Sequence, residues 1–255
     1  MKKLLCLFSA TLIALTSCSN DDNNSSDAAS SILPKKVTFI NSNGDSSVET
    51  IVYNGNKIVS ITEEDGSVTK YTYTGNVITK VEDIDEKGEL GGTTEYSYTS
   101  GKVTSFVEKE IGDKYHYKTK YVHNTDGTVS YEEFRINVAT SVEEEYGRIG
   151  KLTFKDGNLI KDENSYYGSD FVKVYEYDTK NSPFKNITGY SLLLKTNSSI
   201  NNVIKETRSS GSGTTANTSV ITLVYKYDVN NYPTEKVETF PNGTSTSSET
   251  AQYTY

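Results

Sequence analysis

Residues 71 to 81 read YTYTGNVITKV, and this stretch decides the fold. Tyr71 and Tyr73 alternate with Thr72 and Thr74, the period of two that sends successive side chains to opposite faces of a strand. Gly75-Asn76 supplies the positive φ that a tight hairpin turn requires. Alternation then resumes, with Val77, Thr79 and Val81 expected on one face and Ile78, Lys80 and Glu82 on the other. Two strands and a turn make one antiparallel hairpin.

The pattern recurs as YSYTSGKVTSF from Tyr96, YVHNTDGTVSY from Tyr121, LTFKDGNLIKD from Leu152, YEYDTKNSPFKNI from Tyr175 and YKYDVNNYPTEKV from Tyr225. A last YTY begins at Tyr253, and a weaker copy, IVYNGNKIVSI, begins at Ile51. Copies start about 25 residues apart, except for a gap of roughly 50 after Tyr175, where SLLLKTNSSINNVIKE from Ser191 is expected to be a degenerate copy. The fold class that follows is all-β: an up-and-down antiparallel meander of about 14 to 16 strands. A sheet that wide must curl or become barrel-like, because exposed edges invite further pairing and flat sheets of that width are uncommon. No window sustains helical spacing, and only Ser198 to Ser210 leaves room for a helical turn.

The N-terminus carries a different message. Met1-Lys2-Lys3 is a basic start, and Leu4 to Leu15 is an apolar run too short to cross roughly 30 Å of hydrocarbon, so it reads as the core of a signal peptide. Leu15-Thr16-Ser17-Cys18 resembles the bacterial lipobox, which implies a diacylglycerol thioether on Cys18 and cleavage before it. Cys6 leaves with the signal, so disulfide, thiolate and cysteine-metal chemistry are not expected. Ser19 to Ser31 is small, polar and aperiodic, the composition of a flexible tether. The expected organisation is a signal peptide over 1–17, a lipidated tether over 18–34 and one repeat-built β domain over 35–255. Ser19 lacks the Asp associated with inner-membrane retention, and Asp21 and Asp22 resemble the acidic export segment of Bacteroidota lipoproteins. Those features imply a lipid-anchored protein of the outer membrane, displayed at the cell surface.

Two further resemblances rest on the repeats. Tyr-x-Tyr-Asp with its Asn-rich turn, at Tyr175 and Tyr225, is similar to the tyrosine-aspartate repeats of RHS-type proteins, which form β-hairpin spirals. The lipobox together with the meander resembles a Bacteroidota lipoprotein family of unknown function with a porin-like β fold. Neither resemblance brings a catalytic motif, and no C-terminal effector domain of the RHS kind follows.

Composition narrows the function classes. Twenty-six basic residues stand against 34 acidic ones, a net charge of −8 that repels nucleic acid. His116 and His123 sit on opposite faces of one strand and cannot share a metal. Asp83 to Gly88 begins like a calcium loop, but Lys87 and Thr94 occupy positions that need oxygen ligands, so a solvated hairpin loop is expected. Glu143-Glu144-Glu145 reads as a solvated charge run. Nucleophile-elbow, phosphate-loop and dinucleotide motifs are missing, so neither a catalytic residue nor a cofactor is expected.

Tyrosine is the conspicuous residue, with 20 Tyr against 8 Phe and no Trp. A row comprising Tyr71, Tyr73, Tyr96, Tyr98, Tyr115 and Tyr117 is expected to act as a cross-strand ladder and, where exposed, as a stacking platform for a glycan or protein partner. The leading functional expectation is a non-enzymatic binding or envelope-supporting lipoprotein. A transmembrane barrel and a lipocalin-like carrier are the alternatives. Neither face of residues 67–74 is an apolar band, which argues for a water-exposed sheet over a lipid-facing one.

Overall fold

A computed structural model describes residues 31–211, 217–243 and 245–255. Cys18, Ser19, Asp21 and Asp22 lie outside the described residues. The strands are β1 (Lys36–Ile40), β2 (Ser46–Asn54), β3 (Lys57–Glu63), β4 (Val68–Thr74), β5 (Val77–Ile84), β6 (Leu90–Thr99), β7 (Lys102–Glu110) and β8 (Tyr115–His123). They continue as β9 (Val129–Asn137), β10 (Glu143–Lys155), β11 (Asn158–Tyr166), β12 (Ser169–Tyr177), β13 (Val203–Ser210), β14 (Asn217–Tyr227), β15 (Pro233–Asn242) and β16 (Ser245–Thr254). Each pairs antiparallel with its chain neighbours, and β16 returns to β1 through pairs such as Val37 with Tyr253, closing the barrel. The meander thus removes its own edges by closure.

Even strands hand over to the next at one end of the barrel, and there the ladders slip at six of the turns, the β8–β9 ladder running unbroken. Thr72 faces Lys80 but Tyr73 faces Ile78, leaving Thr79 as the extra residue of a bulge. The same slip falls just before Tyr53, Tyr98, Phe154, Tyr177 and Tyr227, the second aromatic position of each copy. Simple alternation therefore misplaces the residues after the turn: Ile78, not Val77 or Thr79, is the fully buried one, at 0% exposure. The unpaired Thr79, Thr104 and Thr234 turn their hydroxyls back to the carbonyls of Thr72, Ser97 and Lys226, satisfying acceptors that the bulge disturbs.

The second aromatic also fastens one hairpin to the hairpin before it. Tyr53 donates to the Pro34 carbonyl at 2.9 Å, Tyr98 to Ile78 at 2.8 Å, Tyr177 to Leu159 at 2.7 Å and Tyr255 to Pro233 at 2.9 Å. Tyr73 accepts from the Ile58 amide at 3.2 Å. His123, which stands where a tyrosine is expected, places Nε2 2.8 Å from the Val103 carbonyl and so keeps the bond. The rings and the first aliphatic after each turn form three abutting core clusters, around Ile58, Ile78 and Leu159.

The long gap between copies is not a hairpin. After Tyr177 the chain enters the barrel as a plug, with 3-10 turns at Tyr190–Leu193 and Thr196–Ser198, before leaving as β13. Residues from Ser191 to Asn202 are thus lumen filling rather than a degenerate repeat, and Val203–Ser210 is strand rather than helical turn. Polar side chains hold the plug: Asn158 and Asn201 bond reciprocally, and the Leu159 amide donates to Ser199 Oγ at 3.2 Å. At Gly189, with φ of 75°, a Cβ would lie 2.6 Å from the Asn76 carbonyl, so only glycine lets the plug rest on the β4–β5 turn.

Two substitutions separate the hydroxyl tie from the burial of the core. Tyr98→Phe is expected to cost about 1 kcal/mol, the net worth of one hydrogen bond. Ile78→Ala is expected to cost about 2–5 kcal/mol through lost burial and a cavity. Denaturant midpoints at unchanged slope measure both.

Candidate functional site

The plug does not fill the barrel. Above it lie three adjoining cavities, of about 540, 320 and 310 Å³, the first two sharing Lys195, the last two Thr196 and the first and last Asn197, all at the plug tip. The largest is walled by Tyr96, Tyr117, Asp83, Glu108 and Glu110 around Lys195. The second has Tyr131, Glu133, Arg148 and Asp162, and the third Tyr225, Lys236, Glu206 and Glu238. The lumen is a cup with a proteinaceous floor, and its mouth is the end away from the bulged turns.

Strand parity explains the lining. With Tyr71 and Tyr96 turned inward, Asp83 and Glu108 follow them on the same faces of β5 and β7. Enclosure therefore raises the Glu108 carboxyl above its ordinary value, with Lys195 opposing and Glu110 adding to the shift. Glu49 is raised by enclosure and then by Glu63, and Glu133 by enclosure against the pull of Arg148. Tyr71 is pushed up to about 12, first by burial and then by Asp83 and Glu49.

The six tyrosines of the ladder all turn inward. Tyr71 and Tyr96 wall the cup, Tyr117 stands higher on the same wall, and Tyr73 and Tyr98 sit below in the packed core. Tyr115 lies toward the mouth, with the Arg135 guanidinium 4.7 Å and the Lys114 ammonium 5.2 Å from its ring centre. His116 and His123 fall on opposite faces, and Asp85 accepts from the Lys87 and Glu89 amides, as a hairpin loop requires. Glu143 bridges Lys118 and Lys120, at 2.8 and 2.5 Å, on the outer face. Among the described residues no group of three or more His, Cys, Asp or Glu is placed to hold a metal.

A second aromatic group, which the repeats do not announce, crowns the mouth. Tyr146 packs edge-on against Tyr117 at 5.0 Å and lies 5.8 Å from Tyr166, which in turn lies 4.6 Å from Tyr167. Tyr167 is 73% exposed. Its ring covers Gly147, where a Cβ would come within 2.8 Å of it. The local signals were Tyr146-Gly147 and Tyr166-Tyr167-Gly168, neither of which fits the two-strand repeat.

The outside of the wall is charged. Ion pairs join Lys80 to Glu82, Lys109 to Glu95, Lys161 to Glu163, Lys205 to Glu176 and Lys226 to Glu235, all within 2.6–2.7 Å and all on the face opposite the lumen tyrosines. Exposed apolar side chains stand among them, and Val122, Ile149, Phe171 and Val172 line one shared outer concavity with Lys120, Lys151 and Glu163.

Raised carboxyls favour the fold when protonated, so their stabilising contribution is present below 4.5 and lost as pH rises through the raised values. Lowering pH from 7 toward 5 is therefore expected to raise the denaturant midpoint through Glu49, Glu108 and Glu133, and Glu108→Gln to flatten part of that slope. A midpoint indifferent to pH across this window would contradict the arrangement.

No protein-family model matches the chain, and no curated protein matches it in sequence. Among solved structures, it is similar to a porin-like protein from Bacteroides uniformis, with a TM-score of 0.52 and 12% identity over 87% of this chain and 97% of that one. That likeness concerns the fold, a porin-like antiparallel barrel.

Proposed function

We propose that the chain is a lipid-anchored, non-enzymatic binding protein of the outer membrane, carrying its barrel in water at the cell surface with the cup as the ligand site. The observation that carries this reading is the combination of a charged outer wall and a blocked lumen. A lysine or arginine facing lipid near the midplane costs about 2–4 kcal/mol, so even five such positions would cost on the order of 10 kcal/mol. Several strands are also short, with 5 residues in β1 and 7 in β3 and β4, whereas a transmembrane strand needs about 9–11.

The lipobox-like Leu15 to Cys18 supports the anchor, and Asp21 and Asp22 support surface display. Leu33 packs into the core at the bulged end, and the Asn186 amide donates to the Ile32 carbonyl there, so the chain enters at the floor of the cup.

A transmembrane barrel is the second reading, favoured by closure and by the porin-like neighbour. Palmitate labelling and fractionation of wild type and Cys18→Ser, alongside planar-bilayer recording, decide between them. The anchored cup predicts label and membrane retention lost in Cys18→Ser, cleavage by protease added to intact cells, and no conductance steps. Steady channels, with Cys18→Ser still integral and heat-modifiable on gels, would establish the membrane-spanning barrel instead.

A further inference from the structure

We infer that the cup binds a neutral oligosaccharide, received at the mouth by Tyr167, Tyr166, Tyr146 and Tyr117 and passed down to Tyr96 and Tyr71; this rests on the reading of the cup as a ligand site. The first four rings stand in successive contact, at 4.6, 5.8 and 5.0 Å. They lead from a ring 73% exposed to one that walls a cavity of about 540 Å³. A void of that size lies within the range of small-molecule sites. A core has no need of a file of rings that ends in solvent, and a folded barrel gains little from Tyr167.

The charges select among ligands that stack on rings. Cations already occupy the upper faces: Arg148 lies 4.9 Å from the Tyr166 ring centre and Arg135 4.7 Å from that of Tyr115, so a cationic guest meets like charge where it would stack. Lower down, Asp83, Glu108 and Glu110 face the cavity, and an anionic guest meets like charge there. An aliphatic guest would leave those carboxylates and Lys195 without water or a partner. A neutral polyhydroxylated guest satisfies both levels. Its C–H faces lie on tyrosine rings, while paired hydroxyls donate to carboxylates and accept from the guanidiniums of Arg135 and Arg148. Those guanidiniums are already oriented by Glu144 and Glu133, at 3.0 and 3.3 Å.

The test uses the full lipoprotein in a zwitterionic detergent without a sugar headgroup. The probes are hexamers of α-glucan, β-glucan, xylan and mannan, with spermine and hexagalacturonate as charged controls. The chain has no Trp, so tyrosine emission reports directly on the rings. At least one neutral hexamer should give saturable quenching, weakened about three- to tenfold by Tyr167→Ala and further by Tyr146→Ala. Tyr98→Phe, in the core, should leave affinity unchanged. Should Tyr146→Ala fail to fold, the exposed Tyr167→Ala carries the comparison. Binding by none of the neutral hexamers, affinity indifferent to Tyr167→Ala, or tighter binding of spermine or hexagalacturonate would each overturn the assignment. Any of these leaves the anchoring and conductance results standing, so failure of the ligand class is distinct from failure of the anchored cup.

Discussion

One kind of bond holds most of this barrel in register: the hydrogen bond between the second aromatic of a hairpin and the backbone of the hairpin before it, which Tyr227 replaces by donating to the Asp178 carboxylate. Strand pairing alone leaves an antiparallel meander free to slide, and a one-residue slip would turn every inward ring outward. The Tyr98 hydroxyl reaching Ile78, and its counterparts at Tyr53, Tyr73, Tyr177 and Tyr255, remove that freedom by tying positions 15 to 22 residues apart. At Tyr53, Tyr73, Tyr98 and Tyr177 the bulge just before the ring bends the strand and re-aims the aromatic into the lumen. Tyrosine outnumbers phenylalanine for the same reason: the ring supplies burial and the hydroxyl supplies the tie. His123 shows that the requirement is a polar atom at the right reach rather than a phenol as such. Where Phe154 replaces tyrosine, the neighbouring Tyr177 and Ser199 meet at 3.0 Å and the plug takes over part of the bracing.

That periodicity is why so much of the fold was legible. Hairpins, turn positions, all-β class and the wrapping of the sheet follow from Tyr-x-Tyr, Gly or Asn turns and period-two patterning. What local pattern could not carry was the bulge, because Thr79 is as good a strand residue as Val77 and only the partner strand's register decides which side chain is inside. The plug was hidden for a related reason. SLLLKTNSS contains enough apolar residues to suggest a worn strand, yet the bond that fixes its end is the Leu159 amide donating to Ser199 Oγ, 40 residues away in sequence. The inward placement of the tyrosine ladder was open until closure fixed inside and outside. Tyr146, Tyr166 and Tyr167 fall at a register break in β10 and at the β11–β12 turn, where period-two reading stops.

The same wall solves two different solvation problems. Its outer face pairs lysine with glutamate both along and across strands, a pattern worth little stability per pair but well suited to contact with water. Its inner face instead gathers carboxylates that cannot all pair, and enclosure raises Glu49, Glu108 and Glu133 against their ordinary values. A barrel selected for stability alone would have filled that volume with aliphatic side chains, as the bulged end does around Ile58 and Ile78. Retaining unfavourable charge beside water-filled space is a cost the fold bears, and such costs gather at functional sites.

The plug converts this lumen from a passage into a receptacle. A barrel of this strand number without filling leaves an aqueous channel. Here the floor is fixed on β11 by Asn201 bonding Asn158 and by the Leu159 amide donating to Ser199, at the β2–β3 turn by the Thr188 amide donating to the Asn56 carbonyl, and at the β4–β5 turn by the close approach of Gly189. Releasing such a floor means breaking bonds to several strands at once, so traffic through it is not favoured. The open end is then the mouth, where the aromatic file of Tyr167, Tyr166, Tyr146 and Tyr117 begins.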